Sequence, residues 1–253
     1  MKKFKIGQDW FDELIPDGLP IPSSTLISGE GGSGKPLLGF SVLSSWLKQG
    51  GNSIFILTST GKDFVQESMK KIYGIGIMDY KENLAFIEFN PSLAPAVNAI
   101  EEAGGTIKAN LVNPEVWDKA IEIADARLKQ ETQLGTLVFC SAINLFLFSQ
   151  TYKKAILNRL RDLIKEDKTK TYLFTVSTSA YKEEISTLES VAHNLMFTRV
   201  EQPMKLFLKI TKMKDVNFSK KEIEVPLEKE DLLTIKNLSE DSRKDLIPTI
   251  VRI

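Results

Sequence analysis

Short apolar runs alternate with helical stretches through the first 200 residues. This predicts an α/β fold built on a twisted, mainly parallel sheet flanked by helices. The runs at 53–58 and 84–89 are apolar nearly throughout, as parallel strands covered on both faces are. A glycine-rich turn joins the first β-prone run directly to a long helical pattern. At 253 residues the chain is long enough to bury a sizeable core. Residues 1–215 are expected to form one core domain, and residues 216–253 a charged edge or tail of the same domain.

Ser24-Thr25-Leu26-Ile27-Ser28 is the first β-prone run. After the glycine-rich turn, Phe40, Leu43 and Leu47 keep helical spacing until Gly50-Gly51 closes the helix. The strand at 53–58 leads into a helix over 64–73 and then a strand at 84–89. Asn113-Pro114-Glu115 combines an N-cap, a proline at the first helical position and an acidic first turn. It opens a helix expected to reach about Gln130, with Trp117, Ile121 and Leu128 along its apolar stripe. Strands follow at 136–140 and 171–176, separated by a helix with Ile156, Leu160 and Ile164 on one side.

Beyond 191–200, Leu206, Leu208 and Ile210 alternate with Lys205, Phe207, Lys209 and Thr211, the period of a half-exposed strand. Charged residues number 21 in the last 53, against 45 in the first 200, so this part reads as a solvated edge.

Composition closes off most catalytic chemistry. Lys plus Arg and Asp plus Glu each number 33, which disfavours a strongly basic nucleic-acid binder. One cysteine, Cys140, forms no intrachain disulfide and leaves no cluster for zinc or iron–sulfur, and it fits a reducing, cytoplasmic compartment. One histidine, His193, removes every multi-histidine metal site. The N-terminal Met1-Lys2-Lys3 has no apolar run behind it, so it is not read as a signal peptide. The longest apolar stretch, residues 137–148, has 12 residues and is read as a buried strand leaving into a loop or helix. A bilayer span needs about 20, so no membrane association is expected.

Gly29, Glu30, Gly31, Gly32, Ser33, Gly34 and Lys35 match G-x-x-x-x-G-K between a strand and a helix, the setting of a Walker A loop. In such a loop backbone N–H groups turn inward around phosphate oxygens, the helix N-terminus adds its positive end, and the lysine neutralises the outer phosphates. Where the motif calls for Ser or Thr this chain has Pro36. Proline removes both the hydroxyl that would ligate Mg²⁺ and a backbone N–H, while remaining tolerable in a first helical turn. Each lost hydrogen bond to a charged group is worth about 1.5–3 kcal/mol, or roughly 10- to 150-fold in affinity. Weak ATP or ADP binding with poorly held Mg²⁺ is expected.

Residues 11–20 (FDELIPDGLP), the strand after them, the loop, and Trp46-Leu47-Lys48-Gln49-Gly50 resemble the archaeal KaiC-like branch of the RecA superfamily. There a "LDELLGGGIP"-like stretch precedes the Walker A strand at this spacing. The likeness continues through Leu157-Asn158-Arg159-Leu160, the strand near 172–177, and Lys209-Ile210-Thr211-Lys212-Met213-Lys214, which is similar to the family's "KMRG" element. The resemblance implies a RecA-like P-loop NTPase fold. It also implies a Walker B aspartate, whose position falls on Cys140, and a catalytic glutamate in a run that here reads Ile56-Leu57-Thr58-Ser59-Thr60-Gly61. Neither carboxylate is present, and Asp63 and Glu67 nearby read as solvated helix positions. Lys212 and Lys214 match the basic residues that in the family reach a neighbouring subunit's phosphate.

His193 reads as structural and Cys140 as a packed small hydrophobe. The N-terminal arm up to Phe11 is a candidate partner contact through strand addition, with packing on its own core as the other reading. The leading expectation is a hydrolysis-deficient KaiC/RecA-like module that binds a protein or peptide partner or assembles with itself. Alternatives are a working ATPase linked to recombination, signalling or motility, and a single-stranded nucleic-acid binder using the lysines between 205 and 221. The last is less favoured, since no clustered aromatics accompany those lysines in sequence.

Overall fold

Every residue of the first β-prone run is buried, as a strand in the interior of a sheet covered on both faces must be. The computed structural model describes residues 2–129, 131–201, 205–227 and 233. The chain begins with β1 (Lys2–Phe4), α1 (Asp9–Leu14), β2 (Leu19–Ile21), β3 (Ser24–Gly29), α2 (Lys35–Lys48) and β4 (Asn52–Leu57). It continues through α3 (Lys62–Tyr73), β5 (Leu84–Phe89), β6 (Glu101–Ala103), β7 (Thr106–Ala109), α4 (Pro114–Asp125) and β8 (Thr136–Cys140). The remainder is α5 (Lys153–Glu166), β9 (Thr171–Ser177), α6 (Lys182–Val191), β10 (Asn194–Glu201), β11 (Lys205–Lys212) and β12 (Ile223–Glu224).

Among the described residues, one sheet of ten strands runs β12-β11-β10-β3-β9-β8-β4-β5-β7-β6. The strands from β10 to β7 are parallel to their neighbours, and antiparallel pairing is confined to β6–β7 at one edge and β10–β11–β12 at the other. This is the expected α/β class. Helix α2 crosses one face, where Gly39 lies so close to the Phe139 ring that a Cβ would penetrate it. Phe40 packs edge-on to both Phe55 and Phe139. Helices α4, α5 and α6 cover the other face, with Trp117, Ile156, Leu160, Ile164 and Leu188 buried there. Residues 137–148 are the predicted buried strand, followed by a 3₁₀ turn over Ile143–Phe148. Among the described residues no helix is long and apolar enough to cross a membrane.

The β1–β2 hairpin folds the N-terminal arm onto its own chain, with Phe4 edge-on to Trp46 at 5.0 Å and Phe11 fully buried. Own-core packing is thus the role in which the arm is described. Helix α4 ends at Asp125, short of the expected Gln130, which lies outside the described residues. There the chain turns away so that Leu128 is buried and the Lys129 N–H donates to the Glu82 carbonyl at 3.1 Å. Residues 216–227 lie against the core: β12 pairs with β11 and Val225 is buried. The rest of the charged tail, Leu233 apart, lies outside the described residues.

Candidate functional site

Strand β3 ends at Gly29, and the chain reverses through Glu30–Gly34 before α2 starts at Lys35. Gly32 and Gly34 have φ of +78° and +67°, values that L side chains rarely adopt. A Cβ on Gly29 would run into the Thr198 carbonyl of the neighbouring β10, and one on Gly34 would meet Leu206 at 3.1 Å. Glycine at these positions is therefore required by conformation and by close approach, the two conditions that a phosphate loop imposes. Lys35 is buried, and its Nζ donates to the Gly29 carbonyl at 2.9 Å, the Glu30 carbonyl at 2.6 Å and Ser33 Oγ at 3.1 Å. Pro36 is accommodated in the first turn of α2.

Neighbouring strands brace the loop with groups that carry no motif. Ser179 Oγ, after β9, accepts the Gly31 N–H at 3.0 Å, and the Thr178 N–H donates to the Gly29 carbonyl at 3.0 Å. Ser33 and Thr198 share a hydroxyl–hydroxyl hydrogen bond of 2.8 Å. Nothing in sequence singles out Ser179 or Thr198. They reach the loop because β3 lies between β9 and β10, in a register that sets Gly29 opposite Ser177 on one side and Thr198 on the other.

The loop has the backbone turn and the buried lysine that a phosphate loop calls for. The metal half of the site does not fit. Cys140 is level with Phe174 on β9, which is level with Leu26 on β3, three residues before Gly29. Its side chain lies with Val138 in the cluster under α4–α6, away from α2, and burial pushes its thiol well above the usual range. The next residue, Ser141, is also buried, and its carbonyl and hydroxyl both engage Thr58 at the end of β4. Shifting the register by one therefore exchanges a thiol for a hydroxyl and supplies no carboxylate. Asp63 and Glu67 are exposed on α3, as expected of solvated helix positions. Glu189 accepts from Ser28 Oγ at 2.5 Å under the α6 face, and Glu30 is exposed. Among the described residues no three His, Cys, Asp or Glu side chains come together as a metal site.

Lys212 and Lys214 lie at the other end of the sheet. Lys212 pairs with Leu195, which is level with Leu26 on β3, three residues or roughly 10 Å along the strand from Gly29. They are not part of this chain's own phosphate loop. His193 has structural contacts: its Nδ1 accepts the Ser24 N–H at 3.2 Å, and its own N–H donates to Ser24 Oγ at 3.1 Å.

A family model described as "ATPase: KaiC" matches residues 4–240. No curated protein sequence matches the chain. Among solved structures, the fold is similar to the crystal structure of a KaiC-like protein from the hyperthermophilic archaeon Pyrococcus horikoshii OT3, with a TM-score of 0.62 and 18% identity over 88% of this chain and 94% of that one. With a phosphate loop at the head of α2 and a match that spans nearly the whole chain, this protein belongs to the KaiC ATPase family and has its RecA-like α/β fold.

Proposed function

We propose that this chain is a hydrolysis-deficient KaiC-family module that binds a protein partner or further copies of itself, in the cytoplasm, and retains a weak, metal-independent ATP or ADP site at Gly29–Lys35. The observation that carries this reading is the lack of a carboxylate at the positions where metal ligands are expected. Where water attack on a γ-phosphate needs a metal and a positioned base, Pro36, Cys140, Ser141 and Thr58 offer no carboxylate, and Thr58 and Ser141 are already bonded to each other. A loop that holds phosphate without organising metal can report nucleotide occupancy but does not turn it over. Lys212 and Lys214, remote from their own loop, support contact with another molecule.

Calorimetric titration with ADP and ATP, in Mg²⁺ and in EDTA, tests this together with a phosphate-release assay. The expected result is weak binding that EDTA leaves unchanged, with phosphate release no faster than in Lys35→Ala. Turnover that Lys35→Ala abolishes, or affinity that rises more than about tenfold with Mg²⁺, refutes it.

A further inference from the structure

Several surface cations of this chain meet carboxylates, as Lys119 meets Glu122, Lys170 meets Asp125 and Lys165 meets Glu166. Lys168, Lys212 and Lys214 do not: among the described residues no carboxylate stands within ion-pair distance of any of them. They gather around the single histidine. Lys214 Nζ lies 3.4 Å from His193 Nε2, and Lys212 Nζ donates to the Ser190 carbonyl in the last turn of α6 at 3.0 Å. Lys168 stands in the turn between α5 and β9. The groups around the ring are thus these three lysines, the Lys165 carbonyl on α5 and Ser24 on β3. Of the nearby acids Glu189 is engaged by Ser28, Glu166 pairs with Lys165, Asp167 accepts from Thr169 and Tyr172, and Asp215, next to Lys214 in sequence, is exposed. In a chain with no net charge, a local group of lysines without ion pairs is a surface for an anionic partner.

We infer that the cluster of Lys168, His193, Lys212 and Lys214 docks an acidic segment of a protein partner. This rests on the reading of the chain as a binding module and names the chemistry of what it binds. The cations come from the α5–β9 turn, the α6–β10 turn and the end of β11. Helix α6 presents its C-terminal, negative end here, so no nest of N–H groups awaits a single phosphate. Residues 165–170, 190–193 and 211–215 include no Phe, Tyr or Trp on which a base could stack, which disfavours single-stranded nucleic acid. A carboxylate beside His193 favours its protonated form, so docking tightens as the imidazole takes up its proton on acidification.

The test is fluorescence anisotropy of a fluorescein-labelled peptide of about ten glutamates, titrated with the full chain at about 50 mM salt. Lys212→Glu with Lys214→Glu is expected to weaken binding at least about tenfold, and the milder Lys212→Gln with Lys214→Gln to weaken it in the same direction. Lys70→Glu with Lys154→Glu, the same change in net charge on exposed helix positions, is expected to change it about twofold or less. In proton NMR, saturating peptide is expected to raise the pKa of the sole histidine by about half a unit or more. No binding by the unmodified chain, equal weakening by both charge-reversed pairs, or tighter binding of an oligothymidylate of equal charge that Lys212→Glu with Lys214→Glu removes, each overturns the inference. Lys35→Ala leaves peptide binding intact if the inference holds, so failure of the phosphate-loop reading and failure of this surface are read separately.

Discussion

At Pro36 a single side chain removes a metal-ligating hydroxyl and a phosphate-binding N–H without disturbing the fold, because a first helical turn needs neither. Pro36→Ser restores both groups. We expect nucleotide affinity to rise roughly 10-fold or more, measured by calorimetry, while phosphate release stays at background because the carboxylates are still missing. Release well above background would mean that another group, unlocated around the loop, serves the metal. The loop residues were legible in sequence because glycine and lysine carry the chemistry by type. Ser179 and Thr198 were not, since serine and threonine are ordinary at strand ends and only the order β9-β3-β10 aims them at the loop.

Among the elements, α4 shows what local chemistry can specify. Asn113 Oδ1 accepts the Glu115 N–H at 3.1 Å, the cap expected from Asn-Pro-Glu. Asn113→Ala is expected to cost about 1 kcal/mol and to lower the melting temperature by about 2–4 °C in a domain of this size, read by thermal circular dichroism. A shift below half a degree would show that α4 is held by its packing alone. The other end of α4 escaped the sequence because the chain beyond Asp125 is held by a tertiary bond, from the Lys129 N–H to the Glu82 carbonyl 47 residues before it. Conversely, the β6–β7 hairpin carries a turn signal, Gly104-Gly105, with both glycines at positive φ. Its acidic flank, Glu101-Glu102, lacks the apolar alternation that marks a strand.

Across the whole molecule, His193 links charge to stability. Burial first, then Lys214, Lys212 and Lys168, hold its imidazole below the usual range. The unfolded chain therefore binds more protons at this site than the folded one as pH falls past about 6.5, so the folded state loses stability on acidification and is least affected above that value. Urea unfolding at about pH 7.5 and 5.5 is expected to show a larger loss for the unmodified chain than for His193→Gln. Equal losses would place the acid sensitivity elsewhere. The α/β class and the phosphate loop were set by local pattern, since strand and helix periods and a glycine turn are properties of neighbouring residues. Which strand lies beside which, and hence that Cys140 faces away from the loop, that Thr58 closes on Ser141, and that three lysines meet at His193, depended on contacts between residues far apart in the chain. Such contacts follow from packing one buried sheet between two helical layers, and no stretch of sequence encodes them on its own.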